Sequence, residues 1–365
     1  MDAAILLQTT VNLHMAKIPE PKNSLAALID LHHEQISEQP RGHMGCSQLG
    51  HPCDRWLWLS FRWAVIEKFP GRVLRMFRRG RNEEAIIVDD LRAAGITIHS
   101  TEGSQSRVSL GCHIGGSIDG IIEYGVPEAP QKRHIVEFKT HSLKSFEDLL
   151  KNGVASSKPQ HWTQMQLYMM GTIMGKGLES PGIDRALYVA ICKDDDRIYT
   201  ERVRFDPDHA KNIFERGKRI VLADEMPAPI STNPSWYQCK WCAAHSLCHG
   251  KKPTVEVNCR TCIHAVAQED GTWFCERHQE GNIPLDYQRE GCNGHVLHPD
   301  LVPWQMMGPA DGDNCDAMFE INGKQVRNGA GGYSSREILA NPDLCAEDVP
   351  FINTLRSEMG GRIIG

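Results

Sequence analysis

The sequence lacks three features that would each place it in a particular class. No window approaches about 18 consecutive apolar residues, so no transmembrane helix is predicted. The first residues, MDAAILLQTTVNLHMAKIPEPKN, contain a short apolar run with no basic region before it. We therefore expect no export signal, no membrane partner and a cytoplasmic location. The pattern G-x-x-x-x-G-K-[ST] is also absent, which argues against a nucleotide-driven motor.

The length of 365 residues allows two or more compact units, and 24% charged residues is ordinary for a globular protein. A net charge of −6 gives no overall attraction to polyanions. One patch, GRVLRMFRRGR (71–81), nevertheless places five arginines within eleven residues. It is either a nucleic-acid contact or a solvated helix face.

Thirteen cysteines are many for a cytoplasmic protein, and their spacing is uneven. Seven of them fall within 54 residues: Cys239, Cys242, Cys248, Cys259, Cys262, Cys275 and Cys292. In a reducing compartment, such a concentration favours metal or cluster ligation over disulfide bonds.

Hydrophobic periodicity and turn residues predict a series of helices and strands along the chain. The predicted helices cover 53–69, about 72–94, 145–153, 158–177 and 206–227, after a partly helical lead-in at 1–40. The predicted strands cover about 96–100, 107–115, 117–124, 134–140, 185–193, 198–205 and 317–326, and 308–316 is predicted to be a loop. This order indicates an α/β fold in which helices flank a mixed central sheet, followed by a small Cys-rich, metal-bound module.

The predicted strand HIVEFKT (134–140) carries two charged residues in an otherwise apolar run. Successive side chains of a strand point to opposite faces, so Glu137 and Lys139 share one face. A solvated, weak ion pair is the simplest explanation of such a pair taken alone. A functional explanation needs further residues of the right chemistry elsewhere in the chain.

Candidate companions occur on both sides of this strand. Asp119 follows GGSI at 115–118, where an Asp-Gly hairpin turn is the alternative explanation. Gln164 and Tyr168 lie four residues apart, so they share one face of a predicted helix, as residues in ordinary packing also do.

A further carboxylate is predicted to face a core. Glu84, in GRNEE, is in register with the apolar residues Val88 and Leu91, although Glu83 takes this place if the helix is rotated. A carboxylate that faces a core needs a metal ion or another partner.

In this order, the stretches GRNEE, SIDG, VEFKT and QMQLYM resemble the motifs of the PD-(D/E)XK nuclease superfamily, in its RecB-like exonuclease branch. The resemblance covers about residues 45–250 and assigns the motif positions to Glu84, Asp119, Glu137, Lys139, Gln164 and Tyr168. Two departures are visible. Many members carry His where this chain has Glu84, and the leading Pro of the superfamily name is missing before Asp119.

The resemblance implies a restriction-endonuclease-like core with a Mg²⁺- or Mn²⁺-dependent site. Asp119, Glu137, Glu84 and the backbone carbonyl of Phe138 would hold the ions. Such ions lower the pKa of a bound water and clamp phosphate oxygens. Lys139 would orient the water or stabilise developing charge. Gln164 and Tyr168, which the resemblance also places at the active site, would position the DNA or the site itself.

Some RecB-like nucleases, among them AddB and the CRISPR-associated nucleases of spacer acquisition, hold a 4Fe–4S cluster with one early and three late cysteines. SQLGHPCDRWLW and CKWCAAHSLC resemble these segments and imply the ligands Cys53, Cys239, Cys242 and Cys248. Cys46 competes with Cys53 but lacks the Arg that follows two residues later. Zinc with His245 or His249 as the fourth ligand is the alternative.

A second metal module is predicted from NCRTCIHAVAQEDGTWFCERHQEGNIPLDYQREGCNGH (258–295). Its ligands for a structural Zn²⁺ are Cys259, Cys262, Cys275 and Cys292. His264, His278 and His295 are alternates for one of the cysteines. Trp273 is expected in a small core rather than in a base-stacking surface.

These inferences predict four regions: a lead-in at 1–44, a nuclease core at 45–252, a zinc module at 253–304 and a strand-turn unit at 305–365. The predicted function is metal-dependent DNA exonuclease activity on linear ends. The family setting is phage or bacterial DNA recombination, repair or end processing, with a recombination or single-strand-annealing protein as a further partner. A structure- or sequence-selective endonuclease, a non-catalytic DNA- or partner-binding metalloprotein and an iron–sulfur redox protein are the alternatives.

Overall fold

The computed structural model describes residues 24–36, 39–175, 182–310, 313–347 and 349–364. Its internal contacts divide the chain into two compact units. The smaller unit contains the described residues 24–36 together with 69–78, and the larger contains 39–68 together with 79–365. Most of the predicted lead-in therefore lies outside the described residues.

The described residues form twelve α-helices, of which five lie in the predicted helical ranges and one in the lead-in, whereas the other six are not predicted. The twelve helices are α1 (Leu25–Gln35), α2 (Cys46–Leu49), α3 (Asp54–Phe61), α4 (Gly71–Ala93), α5 (Leu143–Ser157), α6 (Pro159–Ile173), α7 (Pro207–Val221), α8 (His245–Cys248), α9 (Leu285–Glu290), α10 (Ser335–Ala340), α11 (Pro342–Ala346) and α12 (Pro350–Met359). None of the helices within the described ranges is both long and apolar enough to cross a bilayer.

The strands are β1 (Met44–Gly45), β2 (Thr97–His99), β3 (Arg107–Gly111), β4 (Ile114–Ser117), β5 (Gly120–Tyr124), β6 (His134–His141), β7 (Arg185–Cys192), β8 (Ile198–Arg204), β9 (Ala265–Ala267), β10 (Trp273–Cys275), β11 (Gln305–Ala310), β12 (Asp313–Ile321) and β13 (Lys324–Asn328). The largest sheet has the order β2-β5-β6-β7-β8, in which β6 and β7 are parallel and the other pairs antiparallel. The predicted mixed sheet with flanking helices is confirmed.

The parallel pair β6 and β7 requires a crossover, which α5 and α6 supply. Gly153, with φ of 69°, interrupts the helical backbone of α5, where the sequence predicts a helix end. Pro159 then opens α6, whose residues Thr163–Met169 are all buried. Because α6 packs against the sheet and against α2 and α7, it is enclosed on several sides, and its polar side chains need partners inside the protein.

The two faces of the large sheet carry separate cores. On β6, Ile135 joins a core that also contains residues of α2, α3, α6 and α7, whereas Val136 and Phe138 join Ile87 and Val88 of α4 on the other face. This alternation is the one predicted from the sequence. A third core lies around β12 and β13.

In the smaller unit, α1 and the first turns of α4 contact each other through polar groups. Arg75, one of the arginines of the predicted basic patch, pairs with Asp30, and the amide of Gly71 donates to Oε1 of Glu34 at 2.7 Å. No side chain of α1 is buried.

Several predicted boundaries are wrong, and the single strand predicted at 317–326 is the hairpin of β12 and β13. The helix predicted at 53–69 ends at Phe61, and the one predicted at 206–227 ends at Val221. The single strand predicted at 107–115 is a hairpin of β3 and β4, whose turn residues Cys112 and His113 have positive φ of 46° and 60°. The loop predicted at 308–316 is largely the β11–β12 hairpin.

The predicted zinc region is joined to the preceding segments by a buried arginine. Arg260 is 1% exposed, and its guanidinium lies 3.8 Å from the ring centroid of Trp63. It donates to the carbonyls of Phe61 at 2.9 Å and Gly42 at 2.8 Å. Trp273, at 1% exposure, is buried in the large core rather than in the small one predicted. Residues 253–304 therefore share a core with residues 39–68.

Candidate active site and cysteine cavities

Glu137 and Lys139 lie on one face of β6, and the carboxylate is only 1% exposed. A solvated ion pair therefore does not describe this pair. One carboxylate oxygen of Glu137 contacts Nζ of Lys139, which also donates to the carbonyl of Phe138 at 3.1 Å. Burial opposes the charge of Lys139, but Glu137 and Asp119 outweigh it and raise the lysine pKa.

The other carboxylate oxygen of Glu137 is held from α6. Nε2 of Gln164 donates to Oε2 of Glu137 at 3.0 Å and to the hydroxyl of Tyr168 at 3.1 Å. The ring of Tyr168 lies close to Gly116 of β4, where a Cβ would stand only 2.8 Å from a ring carbon. The absent side chain of Gly116 thus gives Tyr168 its place beside Gln164.

Asp119 lies where the chain passes from β4, in the three-stranded sheet, to β5, in the five-stranded sheet. Its Oδ2 accepts a hydrogen bond from the backbone amide of Phe138 at 3.0 Å. Asp119 is therefore fixed beside the residue that separates Glu137 from Lys139, and a hairpin turn is not its role.

Glu84 lies on α4, one turn before the buried Val88, and is half-buried. Nε2 of Gln105 approaches its Oε1 at 3.4 Å. Burial and the nearby charge of Asp119 raise the pKa of Glu84 to about 7. Burial and Asp119 likewise raise the pKa of Glu137 to about 8. These carboxylates repel one another, and a cation among them would relieve the repulsion.

All six predicted site residues therefore interact, by hydrogen bonds or by charge. Within the described ranges, no three His, Cys, Asp or Glu side chains form a group that could hold a metal ion as they stand. The donor chemistry nevertheless fits, because carboxylate and carbonyl oxygens are the ligands of Mg²⁺ and Mn²⁺. Both carboxylate oxygens of Glu137 accept hydrogen bonds, one from Lys139 and the other from Gln164.

Sequence reasoning missed three polar residues beside this site: His141, His161 and Tyr188. His141 follows Lys139 by two residues on the same face of β6, and His161 precedes Gln164 by three on the same face of α6. Both histidines could have been predicted from the two-residue period of the strand and the three- to four-residue period of the helix, which also relate the other site residues. The position of Tyr188 depends on the pairing of β6 with β7, which no local pattern gives.

A family model of the PD-(D/E)XK nuclease superfamily matches residues 7–249, which is more than half of the chain. The chain belongs to the PD-(D/E)XK nuclease superfamily. This membership supports nuclease activity, and nucleases of this superfamily typically use Mg²⁺ or Mn²⁺. No curated protein matches the chain.

Solved structures with weaker similarity include that of SSO0001, at 14% identity and a TM-score of 0.37, covering 62% of this chain and 96% of that one. An alkaline exonuclease (LHK-Exo) from Laribacter hongkongensis is 17% identical with a TM-score of 0.33, over 50% of this chain and 87% of that one. The structure of LHK-Exo in complex with dAMP is 14% identical with a TM-score of 0.34, over 53% of this chain and 90% of that one.

Four cysteines of this superfamily member line one cavity: Cys53, Cys239, Cys242 and Cys248. Burial and the neighbouring thiols Cys248 and Cys53 raise the pKa of Cys239. Arg55, two residues after Cys53, points a guanidinium nitrogen at the sulfur of Cys248, 3.5 Å away. The cavity therefore joins the start of α3 to a segment 186 residues later in the chain.

The competitor Cys46 lies elsewhere. It is fully buried in the large core, where burial raises its thiol pKa to about 12, and it does not line the cavity. His249 does line the cavity, and its Nε2 is buried without a hydrogen-bond partner. His245 points Nε2 at the carbonyl of Pro234, 3.3 Å away. Both histidines considered for zinc thus line the cavity, and His249 is the one whose Nε2 has no hydrogen-bond partner.

The other predicted cysteines line a second cavity: Cys259, Cys262, Cys275 and Cys292. Burial, followed by Cys292 and Cys275, raises the pKa of Cys259 to about 11. Both ring nitrogens of His295 already have hydrogen-bonding partners, Ser335 at 2.8 Å and Thr261 at 3.1 Å. His264 lines the cavity, but its Nε2 lies 2.6 Å from the carbonyl of Cys315, and Nε2 of His278 lies 3.7 Å from the sulfur of Cys292.

Proposed function

We propose that this chain is a metal-dependent deoxyribonuclease that acts as an exonuclease on linear DNA. The observation that carries the proposal is the buried carboxylate of Glu137, held by Lys139 and Gln164 next to Asp119. A charge buried among other carboxylates is costly and is retained where function requires it. A non-catalytic or redox protein has no use for such an arrangement.

In the proposed site, Asp119, Glu137, Glu84 and the carbonyl of Phe138 would hold Mg²⁺ or Mn²⁺. The bound ion would acidify a water and neutralise phosphate charge. Lys139 stays protonated between the carboxylates and stabilises negative charge on the phosphate during hydrolysis. Gln164 orients Glu137, and Tyr168 in turn orients Gln164.

The exonuclease proposal is tested with DNA that has no ends. We expect anaerobically purified protein with Mg²⁺ or Mn²⁺ to degrade end-labelled linear DNA and to leave covalently closed circles intact. Gel analysis of both substrates over time measures this. Linearised circles would instead support the structure- or sequence-selective endonuclease, which uses the same chemistry. Intact linear DNA in the presence of both ions would contradict the nuclease proposal.

We further propose that the first cysteine cavity holds a 4Fe–4S cluster. A cluster distributes its four thiolates over several irons, so it does not require them to converge on one ion. Bound there, it would link α3 to the segment at 239–248 and stabilise the larger unit. DNA recombination, repair or end processing, with a recombination or annealing partner, is the setting that the superfamily suggests.

The second cavity is proposed to hold a structural zinc ion. We expect about one zinc per chain by elemental analysis, and Cys262→Ala should remove it and lower the melting temperature by about 10 °C. This corresponds to roughly 3–5 kcal/mol in a domain of this size. Cys345→Ala, a buried cysteine outside both cavities, is the matched control and should keep the zinc. Full zinc content in Cys262→Ala would contradict the assignment.

A further inference from the structure

A cluster of three polar side chains continues the active site along β6 and α6. Nε2 of His141 and Nδ1 of His161 lie 2.9 and 2.8 Å from the hydroxyl of Tyr188, so both histidines share that oxygen. Nδ1 of His141 lies 3.2 Å from the hydroxyl of Ser145. We refer to His141, His161, Tyr188 and Ser145 as the histidine cluster.

The register of the strands places this cluster next to Lys139. Glu137, Lys139 and His141 alternate along one face of β6. In the parallel pairing with β7, Tyr188 stands opposite Glu137, and Ala190 stands opposite Lys139. The small side chain of Ala190 leaves Lys139 room between Glu137 on one side and His141 on the other.

Helix α6 contacts both the active site and the histidine cluster. His161 and Gln164 are three residues apart on α6, so they lie on one helical face. Gln164 contacts Glu137, while His161 contacts Tyr188. The charge of Lys139 is, after burial, the main influence that lowers the pKa of His161, to about 3. His161 is therefore a neutral imidazole close to Lys139.

The hydrogen bonds of the cluster can run in one consistent direction. Ser145 donates to Nδ1 of His141, Nε2–H of His141 donates to Tyr188, and Tyr188 donates to Nδ1 of His161. In that direction, the remaining proton of His161 is on Nε2. Among the described residues, Nε2 of His161 has no protein partner, and the residue is only half-buried. In that direction, the cluster presents an N–H donor near Lys139.

We propose that His161 binds a backbone phosphodiester of the DNA adjacent to the scissile one, through a hydrogen bond from Nε2. The proposal rests on the proposed nuclease function and deepens it. Phosphate oxygens accept hydrogen bonds from neutral and charged donors, and such contacts set the register of a strand without reading its sequence. When the hydrogen bonds run from Ser145 towards His161, Tyr188 and His141 hold His161 as the Nε2–H tautomer, and the donor is in place before DNA binds.

Two substitutions test the contacts of the two ring nitrogens of His161 separately. His161→Asn keeps a polar group near the position of Nδ1 and can retain the contact with Tyr188, but it removes the Nε2 donor. His161→Gln reaches the position of Nε2 and loses the inner contact. We measure DNA binding by fluorescence anisotropy without added divalent cation, and single-turnover cleavage with Mg²⁺.

We expect His161→Asn to weaken binding of a linear oligonucleotide about tenfold, and His161→Gln about threefold or less. In single-turnover cleavage, the enzyme concentration that gives the half-maximal rate should rise in His161→Asn, while the maximal rate changes little. Equal losses in both variants, accompanied by equal falls in melting temperature, would overturn the proposal in favour of a structural role. Unchanged binding in His161→Asn would also overturn it.

A second readout tests the ligand class. Oligonucleotides with a single neutral methylphosphonate should bind the wild type more weakly when the substitution lies next to the scissile bond, and His161→Asn should lose this sensitivity. Sensitivity confined to a terminal phosphate, or unchanged in His161→Asn, would overturn the backbone assignment. Wild-type cleavage of linear DNA is measured in parallel. Failure of the subsite in an active enzyme therefore leaves the nuclease proposal standing, whereas an inactive wild type overturns the nuclease function itself.

Discussion

Replacing Lys139 with alanine is expected to lower the rate of DNA cleavage by about 10²- to 10³-fold, the usual cost of removing one charge-stabilising donor from an active site. The substitution also removes the ammonium that contacts Glu137. Burial and Asp119 already raise the pKa of Glu137 to about 8, and Lys139 opposes them. Without the ammonium, the pKa of Glu137 rises further, so Glu137 holds its proton more tightly and is a weaker metal ligand.

Single-turnover cleavage of end-labelled linear DNA with saturating Mg²⁺ or Mn²⁺ measures the effect of Lys139→Ala. Lys144→Ala is the matched control, because Lys144 is an exposed lysine just beyond the same strand, and it should cleave like the wild type. Equal rates for Lys139→Ala and the wild type would refute the assignment of this lysine. A large fall in melting temperature would reassign the loss to folding, so unfolding is recorded for each variant.

The predicted part of the site rests on two periods. Alternation along β6 predicts that Glu137 and Lys139 share a face, and the four-residue spacing predicts the same for Gln164 and Tyr168; the structure confirms both. The bond between Gln164 and Glu137, which joins the two pairs, connects residues from separate elements. Only the packing of α6 on the sheet sets that contact, so no local pattern can reveal it.

Tertiary contacts also explain the wrong boundaries. The run RVSLGCHIG (107–115) lacks an Asn-Gly or Gly-Gly turn signal at 112–113, so it is predicted as one strand. In the fold, His113 is buried and its ring lies 5.2 Å from Phe61 and 5.7 Å from Trp273, which holds the turn despite its positive φ. A distant core thus overrides the local preference for an extended chain.

The prediction of a loop at 308–316 is wrong for a related reason. Its Gly, Asp and Asn residues are typical of a loop, yet Asp316 is buried in β12 and accepts hydrogen bonds from the amides of Ala330 and Gly331. Arg277 and Arg327 also donate to it. A carboxylate with this many donors is stable inside a sheet, and the donors come from segments up to 39 residues away.

Replacing Cys53 with alanine is expected to reduce the iron content from about four per chain to nearly none, if the first cavity holds the proposed cluster. Cys53 and Cys239 are 186 residues apart. By chain-entropy arguments, a link that closes so long a loop contributes about 5 kcal/mol. We therefore expect the melting temperature of Cys53→Ala to fall by about 10 °C or more under anaerobic conditions.

Cys46→Ala is the matched control, because Cys46 is the only other cysteine in the early segment and lies in the core away from the cavity. It should keep its iron and the visible absorbance of the cluster, whereas Cys53→Ala loses both. Loss of iron in Cys46→Ala alone would reverse the assignment. Zinc in place of iron in the wild type would favour the alternative of a zinc site. His249→Ala should then lower the zinc content of the protein. The buried Nε2 of His249, which has no hydrogen-bond partner, would serve as a ligand for zinc, while a cluster held by four cysteines does not need it.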